Sequence, residues 1–382
     1  MLPDSFSMVA KTFKGLEPVL AEELSLLGAD RIKPLNRAVE FFGDKALMYK
    51  ANFRLRTALR ILIPIARFKA VNEEALYRGI FNIDWDRYLL PTDSLRIDTV
   101  VHSERFKHSM FVGMKSKDAI ADQFRTKYGK RPSVDKEDAT VLIHVHLMDD
   151  NCIVSLDSSG ESLHRRGYRK QTNMAPLNEV LAAGMLLLAG WKGESDFLDP
   201  MCGSGTLPIE AALIARNIPP GVFRKSFGFE KWKDFDPDLL EEIYNDDTDA
   251  REFSHTIFGS DIDPVSVKIA GENVKNAGIS GIKIRTANFE TLSPPENCLV
   301  MMNPPYGERM KTFHMGAFYE MIGRRLKHHY SDRTVWLISS HLEALKSIGL
   351  KPSGKYTLFN GALECRFLRY EIFKGKREDF RS

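Results

Sequence analysis

Phe197-Leu198-Asp199-Pro200-Met201-Cys202-Gly203-Ser204-Gly205-Thr206 is the stretch on which the reading of the fold turns. An apolar run ends in a carboxylate, glycines follow at once, and residues 206–215 then read as a helix. A strand that passes through glycines into a helix is one βα unit of a parallel sheet. Glycines let the backbone approach a ligand, and the helix start offers free N–H groups. The same rhythm continues: a strand over 257–261 before a helix over 264–276, then strands over 282–286, 298–303 and 335–339. Apolar strands separated by helices imply a parallel sheet covered on both faces. In such sheets ligands bind beyond the carboxyl ends of the strands.

The unusual polar sequences of this half all sit at those ends. Asp199 repels a pyrophosphate but suits a cationic group such as the methionine end of S-adenosylmethionine. No Gly-Lys-Ser/Thr follows the glycines, which excludes a phosphate-binding P-loop. In Gly259-Ser260-Asp261-Ile262-Asp263-Pro264, the Asp261 carboxylate can accept two hydrogen bonds from a ribose diol and Ile262 can pack on an adenine face. Asp263-Pro264 reads as a helix N-cap with proline in the first turn. Dinucleotide sites place the ribose acid about 20 residues after the glycines. Asp261 comes 56 residues after Gly205, so an insertion is expected within 216–251, around Phe227, Phe229 and Trp232 and an acidic run.

The most specific signal is Asn303-Pro304-Pro305-Tyr306-Gly307, directly after the apolar run 298–302. An exocyclic amine conjugated to its ring is a poor nucleophile until acceptors hold its two N–H groups and favour pyramidal nitrogen. The Asn303 side-chain oxygen and the Pro304 carbonyl can be those acceptors, with the prolines fixing them and Tyr306 stacking on the base. Two competing assignments are weaker. Cys202 as a nucleophile lies in the cofactor turn, where a small packed thiol is the simpler reading. His144 and His146 share one strand face but have no third metal ligand nearby, so no metal is expected.

The N-terminal half alternates short apolar strands (8–13, 38–42) with a helix over 16–27, as a small α+β unit. A second unit follows, with strands over 59–68, 94–101, 140–148 and 152–156, helices over 72–81 and 112–128, and a hairpin at Asp149-Asp150-Asn151. A basic connector, His164 through Lys170, marks the domain boundary. Residues 1–170 hold 28 Lys+Arg against 23 Asp+Glu, leaving 26 against 28 for the rest, so the +5 of the first part offsets −2 in the second. Arg105, Lys107, Lys115, Lys117, Arg125, Lys127, Lys130 and Arg131, interleaved with Phe106, Phe111, Phe124 and Tyr128, suit a polyanion that is neutralised by cations and stacked on by rings. They also suit an ordinary solvated helix face.

With 43% hydrophobic and 27% charged residues over 382 positions, the chain reads as globular, with two or three domains. Its longest apolar run, 180–191, is short of the about 20 residues that cross a bilayer. Four separated cysteines without a CxxC pair fit free thiols in a reducing compartment, so a cytoplasmic chain without membrane attachment is expected.

These motifs resemble the class I methyltransferases that modify amino groups, and within them the THUMP-containing RNA guanine-N2 methyltransferases. The likeness is strongest to the bacterial 23S rRNA branch, including the N-terminal half of its fused two-headed form. It rests on Lys14-Gly15-Leu16-Glu17, on Arg165-Arg166-Gly167-Tyr168-Arg169 with Ala175-Pro176-Leu177-Asn178-Glu179, on the three strand-end motifs, and on Asn360 through Cys365. It implies a ferredoxin-like subdomain (1–60), a THUMP RNA-binding domain (61–160) and a Rossmann-like α/β methyltransferase domain with a mostly parallel seven-stranded sheet (161–382). Carried over by position, Pro176 borders S-adenosylmethionine, Asp199, Gly203, Ser204 and Gly205 cradle its methionine part, Asp261 and Ile262 meet the ribose and adenine, and Asn288 and Phe289 line the adenine. Asn288 stands where many relatives have Asp. Asn303, Pro304, Pro305 and Tyr306 are the implied catalytic set, and Arg165, Arg166 and Arg169 join the RNA-contacting cations. The resemblance implies guanine-N2 methylation of 23S rRNA. A tRNA target, adenine-N6 methylation and a non-catalytic RNA-binding assembly factor are the alternatives.

Overall fold

A computed structural model describes residues 4–171, 176–305 and 315–374. The chain forms two compact units that interleave in sequence. One gathers the described residues through Thr12 with 21–163 and 224–246; the other takes 13–20, 164–223 and the described residues from Asp247 on.

The first unit is built on one eight-stranded sheet. In chain order the elements are β1 (Phe6–Lys11), α1 (Glu17–Leu26, of which the residues from Ala21 on fall in this unit), β2 (Asp30–Leu35), β3 (Ala38–Gly43), α2 (Lys45–Arg54), β4 (Arg60–Lys69), α3 (Glu73–Phe81), β5 (Ser94–His102), α4 (Ser109–Tyr128), β6 (Ser133–Val134), β7 (Val141–Met148) and β8 (Asn151–Asp157). The strand order is β2-β3-β1-β4-β8-β7-β5-β6, antiparallel except where β5 pairs in parallel with β7 and β6. Alternate residues of β1 and β7 are buried, as a half-covered sheet requires. The expected hairpin is present: Met148 faces Asn151, so Asp149 and Asp150 are the two-residue loop, with Asp149 at φ +50°. Besides the two-residue β6, two longer elements go beyond the sequence reading. One is β2; the other is α2, whose N-cap Asp44 accepts from the Leu47 N–H at 2.8 Å.

The expected insertion contributes α7 (Pro237–Asn245) to this first unit. Phe229 stacks on Tyr49 of α2 with ring centroids 4.1 Å apart, Arg54 pairs with Asp246 at 2.8 Å, and the Asp236 N–H donates to the Tyr49 hydroxyl at 3.0 Å. The aromatic run is therefore a packing device. Burying rings of this size stabilises by roughly 1.5–3 kcal/mol each.

The second unit holds α5 (Glu179–Leu188), β9 (Asp196–Asp199), α6 (Thr206–Ala215), β10 (Ile257–Asp261), α8 (Pro264–Ala277), β11 (Ile282–Thr286), β12 (Cys298–Met302), α9 (Met315–His329), β13 (Arg333–Ser339), β14 (Gly354–Asn360) and β15 (Leu363–Ile372). Its sheet runs β11-β10-β9-β12-β13-β15-β14. The first five strands are parallel, and β15 runs antiparallel to both β13 and β14. The mostly parallel seven-stranded sheet expected of a class I methyltransferase domain is thus present, closed by an antiparallel hairpin whose loop is Gly361-Ala362. Strand order reverses between β9 and β12, which opens a crevice at their carboxyl ends. Both strands are almost wholly buried, and such covered strands read as continuous apolar runs.

Candidate active site

Asp199, the last residue of β9, and Asn303, the residue after β12, both line one cavity of about 500 Å³. A volume of a few hundred cubic ångströms suits a nucleoside-sized ligand. Of the expected cofactor residues, Pro176, Asp199, Gly203, Ser204, Asp261, Ile262, Asn288 and Phe289 line it, as do Asn303, Pro304 and Pro305. Gly205 does not; it is the N-cap of α6, at φ +83°, and a Cβ there would press on Ala270 at 3.1 Å. Its glycine is required by the turn itself. Tyr306 lies outside the described residues, as does Ala175.

The carboxylates shape the site. Asp199 is buried, and its Oδ1 accepts from the Met201 N–H at 3.1 Å. Burial pushes Asp199 well above the usual carboxylate range, the Met201 hydrogen bond pulls it down, and the charge of Asp261 pushes it further up. A cationic ligand in the cavity relieves both upward pushes. Asp261 closes the glycine turn: the Gly203 N–H donates to its Oδ2 at 2.9 Å and the Asp263 N–H to its Oδ1 at 3.0 Å. A carboxylate has about four acceptor sites, so two remain for a diol. Ile262 beside it is 65% exposed, a large apolar side chain with room for a flat ring against it. Asp263 is the helix cap, accepting from Val265 and Ser266 at 3.1 Å.

Asn288 is more committed than its sequence suggests, since its Oδ1 accepts from the Glu290 N–H at 2.9 Å. Phe289 is buried, with its ring 5.7 Å from that of Tyr330, and so presents only part of itself to the cavity. Asn303 differs from all of these. Its Oδ1 is buried and has no hydrogen-bond partner among the described residues. A buried acceptor left open costs about 1–3 kcal/mol, which a ligand N–H recovers.

Leu177 lines the cavity beside Pro176, as expected of the 175–177 turn, but sequence reasoning missed other wall residues: Thr206, Ser266, and Phe318 and Met321 from α9. Phe318 and Met321 are three residues apart and face one way on a helix. A helix following the Asn-Pro-Pro strand was the available signal, although nothing in its sequence sets these two apart from core residues.

The proposed RNA-contacting cations fall into two groups. Arg105, Lys107, Arg125, Lys127, Lys130 and Arg131 are exposed, while Lys115 and Lys117 are half-buried. Several are already engaged: Arg105 with Asp150 at 3.0 Å, Lys117 with Asp118 at 2.8 Å, Arg125 with Asp122 at 3.1 Å, Lys127 with Asp86 at 2.5 Å, and Lys115 5.6 Å from the centre of the Tyr77 ring. Phe106 and Phe124 are core residues, which corrects their reading as rings free to stack on bases; Tyr128 remains 49% exposed. Arg165 is exposed, but Arg166 is buried, its Nε 3.5 Å from Glu210, and Arg169 is nearly so. Neither Arg166 nor Arg169 presents its guanidinium to a phosphate, because each is spent on an internal carboxylate.

His144 and His146 stay strand residues. Burial, then Lys11 and His146, push His144 down to about 4, leaving it neutral at ordinary pH. No group of three or more metal-ligating side chains forms among the described residues. Cys202 is buried, and burial with the charges of Asp199 and Asp261 raises its thiol well above the usual range, the opposite of an activated nucleophile. All four cysteines are free and buried, and no described helix is long and apolar enough to cross a membrane.

Comparison with known proteins places this geometry. A THUMP-domain model matches residues 70–157 and an RlmL ferredoxin-like-domain model residues 7–62. The chain is 38% identical to a putative RNA methyltransferase of Synechocystis, over 97% of its own length and 100% of that protein. It is 40% identical to the ribosomal RNA large subunit methyltransferase K/L of Methylococcus capsulatus, over 97% of this chain and 52% of that one, so it spans about half the length of such K/L proteins. A putative methyltransferase, SMU.472, solved in complex with SAH, superposes with a TM-score of 0.87 at 29% identity, over 98% of this chain and 100% of that one. The RMKL-like methyltransferase-domain model matches residues 166–369, more than half of the chain, and with it the chain belongs to the RMKL-like methyltransferase family.

Proposed function

We propose that this protein transfers the methyl group of S-adenosylmethionine to the exocyclic N2 amine of a guanine in RNA, with 23S rRNA as the target. The observation that carries the reading is the buried, open Asn303 Oδ1 in the wall of the switch-point cavity. S-adenosylmethionine, when bound, supplies an electrophilic methyl whose bond to sulfur breaks as the amine nitrogen attacks, the electron pair staying on sulfur. Asp199, Gly203 and Ser204 hold the cationic methionine end, Asp261 accepts from the ribose, and Ile262, Asn288 and Phe289 border the adenine. Asn303 Oδ1 and the Pro304 carbonyl accept the two N–H groups of the target amine, so that its lone pair turns out of conjugation and toward the methyl. Both contacts strengthen as nitrogen gains positive charge, and the methylated nitrogen then gives one of its two protons to water. Tyr306 is proposed to stack on the base.

The domains are proposed to divide near residues 60 and 160, the THUMP part contacting RNA through the exposed cations on and around α4. The similarity to K/L rRNA methyltransferases favours rRNA over tRNA, and a cytoplasmic location follows from that substrate and the free thiols. Labelled methyl donor with separated 23S rRNA, 16S rRNA, tRNA and DNA tests the proposal. Label in N2-methylguanosine from 23S rRNA is expected. N6-methyladenosine, or label confined to tRNA or DNA, would replace the target, and absence of transfer to any of them would overturn the enzyme reading.

A further inference from the structure

Arg169 was expected on the RNA surface, and the structure puts it to another use. Its side chain is 10% exposed. One terminal nitrogen donates to the Leu177 carbonyl at 2.9 Å and to the Thr206 hydroxyl at 2.7 Å, while its Nε lies 3.3 Å from Glu179 Oε1. Leu177 and Thr206 both line the cavity. They come from different stretches of chain: the turn that leads into α5, and the first residue of α6 after the glycine turn. One planar guanidinium therefore holds two walls of the cavity at a fixed separation, and the Glu179 carboxylate holds the guanidinium.

The neighbouring connector residues reinforce this tie. Asn273 of α8, 1% exposed, accepts from the Lys170 N–H at 3.3 Å and donates to the Gln171 carbonyl at 3.2 Å and the Ser204 carbonyl at 3.0 Å. Tyr168 donates to Glu210 of α6 at 2.9 Å. Tyr168 and Arg169 thus bond to α6, which follows the glycine turn, and Lys170 and Gln171 bond to Asn273, which itself holds Ser204 of that turn.

We propose that Arg169 is a positioning residue for the methyl donor, setting donor affinity by clamping the 176–177 turn to Thr206. This rests on the reading of the cavity as the donor site. A lysine at 169 keeps the charge and has three N–H donors, but it lacks the rigid planar fork, so one nitrogen cannot bridge Leu177 and Thr206 while another is held by Glu179.

The test is calorimetric binding of S-adenosylhomocysteine, with steady-state kinetics, to Arg169→Lys, Thr206→Val and Thr206→Ser in the full chain. Arg169→Lys is expected to weaken binding and raise the donor KM by about tenfold, with kcat at saturating donor within about threefold. Thr206→Val should act in the same direction, and the Lys/Val double variant should be no worse than Arg169→Lys alone, because both remove one contact. Thr206→Ser, which keeps the hydroxyl, should bind as the parent does. Wild-type affinity in Arg169→Lys, or a fall in kcat with affinity unchanged, overturns the clamp. If Arg169→Lys fails to fold by its thermal transition, Thr206→Val decides alone: unchanged affinity there overturns it. Failure of the parent protein to bind S-adenosylhomocysteine sinks the donor-site reading itself, a separate outcome.

Discussion

Asn303 and Asp199 carry opposite burdens: one is an open acceptor, the other a carboxylate held away from water. On the proposed reading, in which Asn303 Oδ1 meets the target amine most strongly at the transition state, Asn303→Ala should lower single-turnover methyl transfer by about 10²–10³ while donor affinity stays nearly intact. Asn303→Asp keeps an acceptor and should retain more activity than the alanine. Parent-like rates in the alanine variant would mean that Asn303-Pro304-Pro305 is a structural turn. Asp199 gives a pH signature. Its ligand-free pKa is raised, so the ionised form that a cationic donor needs becomes scarcer as pH falls, and donor affinity should weaken with it. By the same sign the ligand-free protein loses stability as pH rises through Asp199's folded value. Calorimetry of S-adenosylhomocysteine over a pH series should show affinity rising with pH and proton release on binding, both lost in Asp199→Asn. A flat profile in the parent would remove Asp199 from the methionine site.

At the scale of elements, legibility followed how far local chemistry dictated structure. β9, β10 and β12 are buried on both faces, which forces apolar runs, and each ends in a polar sequence that only a strand end can display. Those elements and the cavity they surround could be read directly. The helix α2 could not: it is not strongly amphipathic, and its cap Asp44 was the one cue. The hairpin of β14 and β15 had an Asn-Gly turn signal, with Gly361 at φ +64°, yet its residues registered only as a matching motif. Arg166 and Arg169 failed for a different reason. A basic run looks alike in sequence whether it faces water or carboxylates far along the chain, and Glu210 and Glu179 could not be recognised as partners before the fold brought them near. Phe124 of α4 repeats that lesson, since an aromatic among lysines is as readily the buried side of a helix, and Phe106, just before that helix, is buried too.

For the whole molecule, the surplus of positive charge in residues 1–170 points to a polyanionic partner, and salt dependence measures how that surplus is used. Many of the cations on and near α4 already hold acidic neighbours, so they offer an RNA less than their number suggests. Lys107, Lys130 and Arg131 are different: they are exposed and make no ion pair among the described residues. Each phosphate neutralised contributes about 0.7–0.9 to the slope of log affinity against log salt. Reversing these three to Glu in the full chain should therefore weaken binding to 23S rRNA fragments and flatten that slope by about 2–3, if all three touch phosphate. Donor affinity should not change, since none of them lines the cavity, and that invariance separates a lost RNA contact from a damaged fold. An unchanged salt slope, with the thermal transition also unchanged, would show that the basic stretch is solvated surface and that RNA is held elsewhere on the protein.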